Sequence, residues 1–312
     1  MIEWYHWAGF VATLLALLAF DLVRHDDAHV MPLREALRWS GLWVGLAVAF
    51  GVVVWLWLGG HPAGEYAAGY LIEWSLSVDN VFVFILIFTH FSVPQEHQHR
   101  VLFWCVLGAV VTRLSFILGG SALLHRFDWI IYVFGAVLVI TAFRFLRERE
   151  KERSLEENLV LRLTRRLVPM TDRFDGPRLT SSAGGRWMAT PLLAVLVLIE
   201  ATDIVFAVDS IPAVFAVTND AFIAFTSNAM AILGLRSLYF VMAGAVDRFR
   251  YLKPALAAVL GFVGLKMLLS EVVHIPVWAS LAVIVAIMAV AGVASAVVGG
   301  RSAAGTGGQR SL

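Results

Sequence analysis

Long apolar runs leave this chain few ways to fold. Stretches of roughly 18 to 25 apolar residues recur along most of its 312 residues, each long enough to cross a hydrocarbon core of about 30 Å as a helix. About nine such spans can be read, near residues 4 to 22, 39 to 58, 66 to 89, 101 to 120, 128 to 147, 189 to 217, 222 to 246, 254 to 273 and 276 to 298. The expected fold class is all-α, a polytopic transmembrane helix bundle. Composition agrees, since 60% of residues are hydrophobic, only 15% are charged and the mean hydropathy is +0.79, far from the balance of a soluble domain.

Glu3 precedes the first span and no Lys or Arg does, so that span lacks the basic start of a cleavable signal and is expected to remain a helix. Cys105 is the only cysteine. Neither an intramolecular disulfide nor a cysteine metal cluster is available to it, and a small packed thiol is expected. A formal net charge of +1 gives no basis for a nucleic-acid partner. The bilayer is the partner this composition implies.

Basic residues orient the chain. With the N-terminus outside, 20 of the 24 Lys and Arg residues fall on the cytoplasmic side and only Arg126 falls outside, as the positive-inside rule requires. The other three, Arg113, Arg236 and Lys266, lie within spans. Between Arg144 and Arg186 the chain carries eleven basic and seven acidic residues and then turns rich in Pro, Gly and Ser. This is a charged cytoplasmic linker over 148–188, and it is the surface on which a cytoplasmic partner would dock.

Within the apolar spans two stretches answer each other. "EWSLSVDNVFVF" places Glu73, Asp79 and Asn80 in the third span, and "DIVFAVDSIPAVF" places Asp203, Asp209 and Ser210 in the sixth, with Glu200 one turn earlier. The third span runs inward and the sixth outward, so the copies are inverted. Neighbouring spans match as well, Arg113 with Arg236 and Arg144 with Lys266. The expected organisation is therefore a two-helix region over 1–64, a first three-helix repeat over 65–147, the linker, and a second, inverted repeat over 189–273. A C-terminal helix over 274–298 and a flexible tail over 299–312 follow. Inverted repeats build a central site between halves and permit alternating access.

An ionised group near a bilayer centre costs at least about 2.5 to 3.5 kcal/mol on insertion scales. Glu73, Asp79, Glu200, Asp203 and Asp209 must therefore face each other, a cation or water. Against Arg113, Arg236 and Lys266 as charge-compensating groups, two negative charges remain, which a divalent cation or two protons would balance. Oxygen ligands suit Mn, Ca or Mg. Glu73 shares a helix face with Ser77 and Asn80, Asp79 with Ser75, and Asp203 with Ser210. Pro212 removes the hydrogen bond to the carbonyl of Val208, so a kinked or unwound segment beside Asp209 is expected there. His97 and His99 with Glu96 sit at a cytoplasmic helix start, as metal-catching groups at an entrance or as a polar turn.

These motifs, together with "VPQEHQHRVLFW", "EATDIVFAVDSIPAVFAVTND" and "FTSNAMAILGLRSLYF", resemble those of TerC-family integral membrane proteins, over residues 65 to 275 or so. The resemblance implies a place in the lysine-exporter superfamily of inverted-repeat transporters. It also implies association with manganese export and tellurium resistance in a bacterial inner membrane. Carried over, the metal-binding positions are Glu73, Asp79, Asn80, Glu200, Asp203, Asp209 and Ser210. The chain departs from the pattern at Cys105, where Gly is expected after the Trp, and at Ala221, where Pro is common after the Asp. The reading is of a secondary exporter rather than an enzyme. It moves a divalent cation, Mn²⁺ first among the candidates, in exchange for protons and with no permanently bound cofactor. The competing readings are a membrane scaffold or assembly factor in metal or tellurite stress, and an exporter of a small organic solute.

Overall fold

A computed structural model describes residues 3–24, 31–127, 129–147, 171, 175–183, 186–243, 252–269, 272 and 275–306, with some helix side chains outside that description. Among the described residues are ten helices and one small hairpin: α1 Trp4–Arg24, α2 Leu33–Leu58, α3 Gly60–His90, α4 Gln95–Arg126 and α5 Ile130–Arg147; strands β1 Thr180–Ala183 and β2 Arg186–Ala189; then α6 Pro191–Phe215, α7 Ala221–Leu233, α8 Leu235–Ala243, α9 Leu252–Leu268 and α10 Val277–Thr306. The all-α bundle expected from the apolar runs is what forms. By length and hydropathy five helices could each cross a membrane, or six when α7 and α8 are taken as one bent span.

Local chemistry sets the boundaries. Pro191 occupies the first turn of α6, where its missing N–H costs nothing. Asp220 caps α7, its Oδ1 accepting from the backbone N–H of Phe222 at 2.8 Å and of Ile223 at 3.2 Å, two donors that would otherwise be orphaned. Gly59, at φ +92°, makes the corner between α2 and α3 in a conformation that side chains resist. The seventh span, expected to be continuous, is broken at Gly234, and its halves α7 and α8 are bent by 41°. Ser237 donates its hydroxyl to the Gly234 carbonyl at 2.9 Å, and a Gly/Ser combination is a recognised cause of kinks. Pro212, by contrast, lies inside α6, which runs on to Phe215 without unwinding. The hairpin pairs Thr180 with Ala189 and Ala183 with Arg186, inside a stretch the sequence presents only as linker.

α3 is the central helix. In its apolar window 73% of residues are buried, against 17% in α2 and 22% in α10, whose remaining apolar side chains form the outer surface that lipid requires. α3 packs on α2, α6, α7, α8 and α10, while α4 packs on α6 and α7. α5 lies along α9. There Gly135 and Gly264 bring the backbones together, since a Cβ on Gly264 would fall 2.8 Å from Leu138 Cβ and 2.9 Å from the Gly135 carbonyl. Such contacts between small residues let membrane helices approach closely. In the main contacts α4 meets α6 as α3 meets the α7–α8 pair, and α5 meets α6 as α9 meets α3.

Candidate functional site

Arg113, on α4, is the largest fully buried side chain among the described residues. A guanidinium offers five donors in a fixed plane, and this one serves three acceptors on two other helices. Nη1 donates to Glu73 Oε1 of α3 at 2.7 Å and to Ser210 Oγ of α6 at 2.6 Å, and Nη2 donates to Asp203 Oδ1 of α6 at 3.3 Å. Asp203 and Ser210 are seven residues apart, two helical turns, and so share the face that meets Arg113. The other oxygen of Glu73 accepts from Asn228 Nδ2 of α7 at 2.9 Å. One charged cluster thus ties four helices together in a setting where an unpaired charge is costly.

Beside this cluster is a small cavity whose polar lining comes from Ser77 and Asn80 of α3, Cys105 and Arg113 of α4, and Glu200 and Asp203 of α6. It has room for one water or one ion. Three of its residues hold a buried oxygen without a hydrogen-bond partner among the described residues: Ser77 Oγ, Glu200 Oε1 and Asp203 Oδ2. Buried acceptors are rarely left so. Glu200 fits only because α4 has Gly108 opposite it, where a Cβ would overlap the carboxylate. Glu73, Asp203 and Glu200 set three carboxylates against the single guanidinium of Arg113. Fully ionised, they would exceed it by two negative charges. Among the described residues no three His, Cys, Asp or Glu side chains already converge as a metal-binding group, so a bound ion would draw on the hydroxyl and amide oxygens of Ser77 and Asn80 as well.

Of the positions singled out in the sequence, Glu73, Asp203, Ser210 and Arg113 come together directly, and Asn80 and Glu200 line the adjoining cavity. The side chains of Asp79, on α3, and Asp209, on α6, lie outside the described residues. Among the described residues the acid that Arg236 meets is Asp21 rather than one of these. Arg236 is buried against α1, with Nη2 donating to Asp21 Oδ1 at 2.5 Å. Lys266 is half-buried on α9, and the acid acting on it electrostatically is Glu65 at the start of α3. Glu65 in turn accepts from Thr218 Oγ1 at 2.9 Å. His97 is buried, with Glu96 3.8 Å away, and His99 stacks on Phe240 at a centroid distance of 4.2 Å. Asn228, Asp21 and Glu65 are the polar groups that sequence reasoning passed over. The signal for each was a polar residue inside or at the rim of an apolar run.

The model of the integral membrane protein TerC family matches residues 58–303. An uncharacterized membrane protein of Myxococcus xanthus is 52% identical over 290 residues, covering 93% of this chain and 91% of the relative. The Alx protein of Escherichia coli K12, whose name proposes a membrane-bound redox modulator, is 44% identical over 292 residues, covering 90% of this chain and 91% of its own. An uncharacterized membrane protein of Rickettsia bellii is 37% identical, with 90% and 94% covered. No solved structure matches. A polytopic helix bundle, a buried charged cluster and a family match over most of its length lead to one assignment: this chain belongs to the TerC family of integral membrane proteins.

Proposed function

We propose that the chain is a secondary transporter that exports a divalent cation, with Mn²⁺ as the substrate, through the cavity between α3, α4 and α6. The observation that carries this reading is the set of partnerless buried oxygens on Ser77, Glu200 and Asp203 around a space for one ion. Oxygen donors and an excess of two negative charges suit a hard divalent ion. The small cavity also speaks against an organic solute as cargo.

Glu200 and Asp203 are the ligands this reading assigns first, with Ser77 and Asn80 completing coordination. Arg113 holds Glu73, Asp203 and Ser210 in place and offsets part of their charge when no ion is bound. Asp79 and Asp209 are further ligands or proton carriers in the same proposal. Exchange for protons at these carboxylates is the coupling we assign. The inverted sequence motifs, with the matched contacts of α4 on α6 and of α3 on α7 and α8, support two inverted repeats moving about the site. The basic loops support an N-outside, C-inside topology in a bacterial inner membrane.

Mn²⁺ binding to purified protein, followed by loss of the free-ion electron paramagnetic resonance signal, tests the reading. One ion per wild-type chain, with weakened binding in Glu200→Gln and Asp203→Asn, supports it. A wild type that leaves the free Mn²⁺ signal unchanged sinks it.

A further inference from the structure

We infer that Cys105 is a sulfur ligand of the cation site, and that it tilts the site toward transition-metal ions over Mg²⁺ and Ca²⁺. This rests on the cation-transport reading above and names the residue that would set its selectivity.

The argument starts from α4. Cys105, Ala109 and Arg113 follow one another at four-residue spacing and all line the cavity, as a single helical stripe should. Gly108, on the same side, makes room for the Glu200 carboxylate. The thiol is buried, and it shares its cavity with Asp203 and Ser77, themselves almost wholly buried, each bearing an oxygen without a partner. A free cysteine usually packs as a small apolar group. Here the polar groups that share its cavity are the Glu200 and Asp203 carboxylates, the Ser77 hydroxyl, the Asn80 amide and the Arg113 guanidinium, and the oxygens among them make an ion-sized ligand environment.

The chemistry follows from donor softness. An all-oxygen site has little to separate Mn²⁺ from Mg²⁺ or Ca²⁺, whereas a thiolate strongly prefers transition-metal and other soft ions. When the metal–sulfur bond forms, the thiol proton leaves to water. A site with one sulfur and several oxygens would retain Mn²⁺, bind Co²⁺ and Cd²⁺ more tightly, and discriminate against Mg²⁺ and Ca²⁺.

Ultraviolet titration of the purified full chain with Cd²⁺ or Co²⁺ reads the sulfur directly, because thiolate coordination gives a ligand-to-metal charge-transfer band. Wild type is expected to develop the band at one ion per chain. Cys105→Ser is expected to lose it and to bind Cd²⁺ at least roughly tenfold more weakly, with a smaller change for Mn²⁺. Wild-type protein that binds Mn²⁺ and Cd²⁺ without the band overturns the role of Cys105 and leaves the oxygen site standing. Wild type that binds no divalent ion overturns both. The wild-type spectrum alone decides the matter even if the variant does not fold.

Discussion

Arg113 and Glu73 stand 40 residues apart in the chain and meet at 2.7 Å, both almost entirely removed from the surface. The same guanidinium holds Asp203 and Ser210, so one residue of α4 fixes α3 against α6. Removing it would leave two buried carboxylates facing each other. Arg113→Ala is expected to destabilise the protein by about 3 to 5 kcal/mol, the cost of breaking a buried pair by deleting one partner. Arg113→Lys is expected to recover only part of this, because a point charge cannot serve three acceptors in a plane. Thermal unfolding in detergent checks both.

Gly108 is a test of geometry without any change of charge. A methyl group there overlaps the Glu200 carboxylate, so Gly108→Ala is expected to displace that ligand and weaken Mn²⁺ binding by roughly tenfold or more, about 1.4 kcal/mol. Gly119, also on α4, has nothing within 4 Å of a built Cβ. Gly119→Ala is expected to leave binding unchanged and to gain up to about 1 kcal/mol of helix stability. Parallel Mn²⁺ titrations of the two variants separate a packing effect at the site from a general effect of alanine.

Arg236 and Asp21 form an independent cluster between α8 and α1. Asp21→Asn with Arg236→Gln removes both charges and preserves approximate shape, so the pair is expected to be replaceable with small loss of stability. Either single change is expected to cost more. Mn²⁺ affinity should stay within about twofold of wild type in the double variant, since neither residue lines the cavity. A large loss of affinity there would return Arg236 to the role the sequence suggested for it.

That last contrast shows where sequence reading stopped. Helices were legible because a run of some twenty apolar residues has one solution in lipid. Glu73, Asp203, Ser210 and Arg113 were legible for the same reason, as polar groups that such helices carry only for cause. Partners were less so. Arg236 has the same sequence setting as Arg113, yet its acid is Asp21, near the end of α1 and 215 residues away. Nothing in local spacing distinguishes the two arginines. Asn228 is uncharged and follows Thr226 and Ser227 in a mostly apolar helix, so its bond to Glu73 emerges only when α7 is set against α3. The break at Gly234 was hidden because glycine is common in membrane helices, whereas Pro212, the louder signal, sits one turn from the end of α6, where little remains to unwind. The pairing of Thr180–Ala183 with Arg186–Ala189 joins two short runs that flank a Gly-Gly pair in the sequence, a hairpin signal overshadowed by the charges before it.

The central claim is that Glu200 and Asp203 bind the transported ion, and flux measures it most directly. Mn²⁺ movement into proteoliposomes, followed with a trapped fluorescent chelator, should be rapid for wild type and at least roughly 100-fold slower for Glu200→Gln and for Asp203→Asn, a barrier increase of about 2.7 kcal/mol. Asp21→Asn with Arg236→Gln should transport at a rate near that of wild type. Equal rates in wild type and both carboxylate variants, or no Mn²⁺ movement by correctly folded wild-type protein, would contradict the account.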